Sequence, residues 1–213
     1  MLKSLRAAGL AAGLLAAFAC GADMNSGKTL VTKGSIKGAT ACAKCHVSDG
    51  SGNAAAGFPS LSGKNADYLA KQLSDFQNGT RNDAVMQPIA KLLLNTEVLD
   101  AAAYFAAQRS VTALTLGDDA LAARGAKIAL SGDWDKQIPA CVSCHGPAGH
   151  GVGTHFPALA GQHAKYITNQ INAWRNGTRT NDPQSLMKGI ALRLSKDDIA
   201  AVSAYFAGLA PAK

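Results

Sequence analysis

Two five-residue stretches decide how this chain reads: Cys42-Ala43-Lys44-Cys45-His46 and Cys141-Val142-Ser143-Cys144-His145. Each is C-x-x-C-H. Two thiols one helical turn apart suit thioether bonds to the two vinyl groups of one porphyrin, and the adjoining imidazole then reaches the iron. A thioredoxin-like redox pair needs no histidine after it, and the βαβ pattern that usually carries one is missing. A zinc site could use both cysteine pairs, but both following histidines would then be coincidence. The reading is two covalently attached c-type haems, held by Cys42, Cys45, Cys141 and Cys144, with His46 and His145 as proximal ligands.

Working outward, the chain repeats itself. Phe58-Pro59, Leu61, Gly63, Tyr68, Gln72, Phe76, Gly79-Thr80-Arg81 and Tyr104-Phe105-Ala106 return as Phe156-Pro157, Leu159, Gly161, Tyr166, Gln170, Trp174, Gly177-Thr178-Arg179 and Tyr205-Phe206-Ala207. Only Trp134 among the aromatics beyond the first 22 residues lacks a counterpart. Two units of this length indicate a duplicated domain rather than a solenoid. The repeat also selects distal ligands. Met86 and Met187 lie 40 and 42 residues after their histidines, with Ala90 and Ala191 four residues further on. A lone methionine is ordinarily core filler. Matched positions, with no spare methionine in either half beyond Met24 near the start, make Met86 and Met187 the distal candidates. His150 and His155 have no partners in the first half and read as solvated loop residues. His163 reads as an exposed residue at a helix start.

Local patterns are helical throughout. Residues 66–78 and 164–176 put Tyr68, Leu69, Gln72, Leu73 and Phe76, then Tyr166, Ile167, Gln170, Ile171 and Trp174, on one face, and Gly79 and Gly177 stop each helix. First helices are expected near 25–33 and 118–130, and last helices near 96–107 and 196–208. Ser195 with Asp198 forms a capping-box start for the last of these. No alternating pattern suggests a strand, so the fold class is all-α. Gln72 and Gln170 read as buried hydrogen-bonding groups. Phe58-Pro59 and Phe156-Pro157 read as walls of the haem pockets. Arg81 and Arg179 fit either of two roles, a haem-propionate contact or a cation at a helix C-terminus.

The chain has 213 residues, 21 Lys+Arg against 14 Asp+Glu, 47% apolar and 6% aromatic residues, and 42 alanines. Much alanine and little aromatic bulk favours helix over sheet and leaves little side-chain volume to fill two cores. The net charge of +7 is spread out, with no basic run or aromatic-basic alternation, which argues against a nucleic-acid partner. Residues 1–22 read as a signal peptide, with Lys3 and Arg6 before the apolar run 7–19. That places the protein in the periplasm. Cys20 directly after the run leaves a lipid anchor open. The layout expected is a signal peptide 1–22, a first domain 23–110, a linker 111–117 and a second domain 118–213. Two haems bring four propionates, which would cancel most of the surplus positive charge.

On the two C-x-x-C-H motifs, the runs FPSLSGKNADYLAKQLSDFQNGTR (58–81) and FPALAGQHAKYITNQINAWRNGTR (156–179), Met86, Met187 and the endings AAYFAAQ and SAYFAGL, the chain resembles the dihaem cytochrome c4 family. The resemblance implies tandem class I cytochrome c domains and His/Met ligation through His46 and Met86, and through His145 and Met187. It also implies electron transfer between donor and acceptor proteins of a respiratory chain, toward a membrane-bound terminal oxidase. Two departures stand out: Val47 where the second half has Gly146, and Lys64 where it has Gln162. A haem subunit of a larger dehydrogenase or oxidase fits the same residues. A dihaem enzyme, such as a peroxidase or thiosulfate-oxidising cytochrome, fits less well, because paired methionines leave no open iron position.

Overall fold

The computed structural model describes residues 21–109 and 119–211. Residues 1–20 of the expected signal peptide, Cys20 among them, and the expected linker 111–117 lie outside the described residues. Among the described residues ten α-helices run in chain order: α1 Met24–Lys33, α2 Ala43–His46, α3 Ala66–Asn78, α4 Met86–Ala90, α5 Asn95–Ala106, α6 Asp119–Ser131, α7 Val142–His145, α8 Ala164–Asn176, α9 Leu186–Arg193 and α10 Lys196–Ala207. Among the described residues there is no sheet, only isolated bridges. The helices expected from periodicity at 66–78 and 164–176 have those bounds. The short helices α4 and α9, which begin at or just before Met86 and Met187, are too brief for periodicity to announce.

Helix boundaries follow the local chemistry. Asp23 accepts from the N–H of Asn25 and caps α1. Asn65 accepts from the N–H of Tyr68 at 2.9 Å and caps α3. Ser195 and Asp198 form the expected reciprocal box at α10. Gly79 and Gly177 end α3 and α8 with φ of 84° and 75°, a conformation glycine adopts without steric cost.

Each half packs its first helix against its last, α1 on α5 and α6 on α10. The crossings are close enough to demand glycine. A Cβ on Gly27 would sit 2.3 Å from the Asp100 carbonyl oxygen, and one on Gly125 would sit 2.1 Å from that of Ala201. Around these crossings lie Leu30, Val31, Val98, Ala102 and Phe105 in the first half, and Ile128, Ile138, Ile199, Val202 and Phe206 in the second. The second half adds an ion cluster. Asp198 is 1% exposed and accepts from Arg124 Nη2 at 2.7 Å and Lys136 Nζ at 2.9 Å. Burial by itself would raise its pKa. The bonds from Ser195, Lys136 and Arg124 outweigh that and hold the carboxyl well below the ordinary range, so this cluster contributes stability above about pH 4 and loses it on acidification.

The halves differ just after the haem motifs. Gly146 takes φ 77°, ψ 169°, and Val47 takes φ 61°, ψ 157°. That region is essentially reserved for glycine, and a β-branched residue is strained there. Val47 is 42% exposed, so it gains little packing in return. Val47→Gly is therefore expected to stabilise the holoprotein by about 1 kcal/mol, and Gly125→Ala to destabilise it by about 2 kcal/mol or more. Both are read from denaturant midpoints at unchanged m-value.

Candidate functional site

The haem motifs form the one-turn helices α2 and α7, each closed by a bond from the histidine N–H to the first cysteine's carbonyl at 2.9 Å. The two histidines are buried and have matching partners. His46 Nδ1 donates to the Pro59 carbonyl at 3.1 Å, and His145 Nδ1 donates to that of Pro157 at 2.8 Å. Phe58 and Phe156 lie against their rings at centroid distances of 6.3 and 6.2 Å. Burial pulls both imidazoles below the usual histidine pKa, against the pull of the carbonyl bonds. They are therefore neutral, and with Nδ1 occupied each presents a free Nε2 lone pair.

Cys42, Cys45, His46 and Met86 line the same cavity as Cys141, Cys144, His145 and Met187. It is one continuous apolar space of about 670 Å³ that runs across the junction of the halves. Phe58, Pro59, Phe156 and Pro157 wall it, as do Phe76, Trp174, Phe105 and Phe206. Among the described residues no disulfide joins these four cysteines. Burial pushes the thiols of Cys42 and Cys141 up to about 11, so they are not thiolates at neutral pH. A thioether has no proton and carries no such penalty.

Arg81 and Arg179 meet at the junction. Residues 80–82 pair backbone to backbone with 178–180, through Asn82 N to Thr178 O at 2.7 Å and Thr180 N to Thr80 O at 2.8 Å. Each guanidinium stacks on its own half's ring, Arg81 over Phe76 at 4.5 Å and Arg179 over Trp174 at 4.0 Å. Each then reaches both halves. Arg81 donates to Gln72 at 2.9 Å, Gln170 at 2.6 Å and Tyr166 at 2.8 Å. Arg179 donates to Gln170 and Gln72 at 2.9 Å and to the Tyr68 hydroxyl at 3.4 Å. Neither expectation for these arginines, a haem-propionate contact or a cation at a helix C-terminus, included these bonds across the junction. The two arginines are the polar centre of the interface as well as part of the cavity wall. The expectation of an exposed His163 is corrected: it is half-buried, and its Nδ1 donates across the junction to the Phe58 carbonyl at 2.9 Å. His150 and His155 are exposed, as expected.

The cavity fits two haems on chemical grounds. Both guanidiniums are buried, at 6% and 4% exposure, and among the described residues no carboxylate pairs with either. Trp174 Nε1 is buried with no acceptor and belongs to the same wall. A donor and two cations facing an apolar space call for anionic groups on an otherwise apolar ligand, as propionates on a porphyrin are. Several interface residues escape sequence reading: Gln162, which bonds Ser60; Lys165, which donates to the Ala55 carbonyl; and Asn181, which joins Gln72 to Asp75. The mismatch of Lys64 with Gln162 in the repeat was a signal for Gln162 alone.

A sequence profile of the cytochrome c family matches residues 25–106 and again 122–210. The chain is 48% identical over 204 residues to a thiosulfate dehydrogenase electron acceptor from Stutzerimonas stutzeri, covering 95% of this chain and 93% of that one. It is 40% identical to a cytochrome c4 from Pseudomonas aeruginosa, covering 80% of this chain and 85% of the other. Crystallised reduced cytochrome c4 from Pseudomonas stutzeri superposes with a TM-score of 0.78 at 36% identity, over 89% of this chain and all of the other. A thiosulfate dehydrogenase from Marichromatium purpuratum superposes with a TM-score of 0.82 at 40% identity, over 88% of this chain but 40% of that longer one. With a cytochrome c domain in each half and relatives matched nearly end to end, the chain belongs to the dihaem class I cytochromes c, electron-transfer proteins of the cytochrome c4 and thiosulfate dehydrogenase electron acceptor group.

Proposed function

We propose that this protein is a periplasmic carrier that takes electrons from a thiosulfate-oxidising dehydrogenase, through two haems in one shared cleft, and passes them to a respiratory chain. The continuity of the cavity from the first haem motif to the second carries the two-haem electron-transfer reading. The donor is assigned from the relative matched over 95% of this chain and from the longer thiosulfate dehydrogenase whose fold contains a counterpart of it. Delivery onward to a membrane-bound terminal oxidase is a second reading, favoured by the cytochrome c4 relatives. In this reading residues 1–22 are the export signal, 23–110 and 118–213 the two haem domains, and 111–117 their linker. A lipid on Cys20 is the alternative to a fully soluble form.

Cys42 and Cys45, and Cys141 and Cys144, hold the haems as thioethers. His46 with Met86, and His145 with Met187, would hold the two irons. Bound there, each haem iron supplies one-electron chemistry. The protein's own contribution would be two side-chain ligands for each iron and an apolar cavity around them. His/Met ligation sets a higher potential than two histidines would, and the Pro59 and Pro157 carbonyls fix the imidazole tautomer and plane. Arg81, Arg179 and the Trp174 N–H would stabilise anionic groups of the haems at the junction.

Met86→Ala and Met187→Ala are each expected to remove about half of the near-infrared sulfur-to-iron band, lower one haem's potential and allow one iron to bind CO. If neither variant alters the spectrum, the distal assignment is overturned. Mixed with a thiosulfate dehydrogenase and thiosulfate, the oxidised protein is expected to be reduced by two electrons per chain in a reaction that saturates with enzyme-limited kinetics. Failure to be reduced by that enzyme, with ready reduction by a quinol-oxidising complex, favours the oxidase-directed carrier instead.

A further inference from the structure

The junction is close to two-fold symmetric at the arginines and clearly asymmetric at the proximal loops. In the first half, the carbonyl that holds His46 belongs to the Pro59–Ser60 amide. The N–H of this same amide donates to Gln162 Oε1, from the other half, at 2.9 Å, and Gln162 Nε2 donates back to the Ser60 carbonyl at 2.9 Å. Gln162 is 6% exposed and Ser60 is 1% exposed. The two ends of an amide are conjugated, so a bond made by the N–H strengthens the C=O as an acceptor. In the second half the corresponding amide is Pro157–Ala158, and the residue in Gln162's place is Lys64, also 6% exposed. An ammonium has donors only and cannot accept from the Ala158 N–H. The second half therefore reaches the first iron's ligand through a chain of bonds that has no return counterpart.

We propose that Gln162 is a positioning residue for the first haem: its Oε1 polarises the Pro59–Ser60 amide, which draws the Nδ1 proton of His46 and enriches that imidazole in electron density. A more basic proximal imidazole stabilises the ferric state, so the first haem sits at a lower potential than its pocket would otherwise set. Because His145 lacks this relay, Gln162 acts on the first haem alone, and the second is set separately by the shorter His145–Pro157 bond of 2.8 Å. The inference rests on His46 ligating the first haem iron. Failure of that reading appears as a haem stoichiometry or ligand spectrum that does not fit, not as an unmoved midpoint.

The test is a spectroelectrochemical titration of the intact dihaem protein, with each haem followed through its own hyperfine-shifted proton resonances. Gln162→Met, near in shape but without an acceptor, is expected to raise the first haem's midpoint, leave the second in place and shift the His46 Nδ1–H resonance. Gln162→Glu keeps an acceptor and is expected to leave the first midpoint at or below that of the parent. His163→Ala removes a neighbouring cross-junction bond without touching the Pro59–Ser60 amide, and both midpoints are expected to stay in place. As a construction in the other direction, Lys64→Gln is expected to lower the second haem's midpoint further than Lys64→Met, which removes the same charge without adding an acceptor. An unmoved first midpoint in Gln162→Met, an equal shift of both haems, or the same shift in His163→Ala overturns the proposal. If Gln162→Met does not assemble, the Lys64 pair decides it: equal midpoints for Lys64→Gln and Lys64→Met overturn it.

Discussion

Arg81 and Arg179 lie against each other across paired backbones, with both positive charges buried and, among the described residues, no carboxylate in an ion pair with either. Burying a cation is costly unless it is bonded and balanced. Much of the junction can be understood as the response to that constraint. Gln72 and Gln170 each accept from both guanidiniums, and Tyr68 and Tyr166 each accept from the arginine of the opposite half. Phe76 and Trp174 offer ring faces. These contacts satisfy geometry but supply no negative charge, which the propionates of the two haems would provide. The same pair of side chains thus ties the halves together and orients the cavity toward its cofactors.

Duplication built the molecule, and divergence made the halves unequal at a few positions. Trp174 brings an unpartnered N–H where Phe76 has none. Val47 bears a backbone conformation that Gly146 adopts freely. Lys64 is buried, with its ammonium drawn down to about 8 by desolvation, where Gln162 makes two bonds across the junction. None of these changes the fold. All lie beside a haem motif or at the junction, where charge and hydrogen bonding act on an iron. Two sites made unequal in this way can pass an electron in a preferred direction, as a carrier between a donor and an acceptor requires.

The shortage of bulky residues acquires a structural sense. Glycine, with no Cβ at all, allows the close helix crossings at positions 27 and 125, and the volume a larger core would have filled is the cavity itself. Small domains bury too little surface to be comfortably stable alone. A covalent prosthetic group supplies apolar bulk that the chain lacks.

By itself the sequence determined the all-α class, the duplication, the two C-x-x-C-H motifs and the bounds of α3 and α8, because these depend on residues within a turn or two of one another. The C-x-x-C-H spacing is a local demand of one porphyrin, and helical periodicity is a local demand of one face. The helices holding Met86 and Met187 were too short to announce themselves that way. Only the tertiary structure decided what Arg81, Arg179, Gln162 and His163 do. Their partners lie about a hundred residues away in the chain, and no local pattern encodes which buried donor will meet which acceptor when two halves close on each other. The need for glycine at positions 27 and 125 was hidden for the same reason, since the clash lies with a backbone carbonyl of a distant helix.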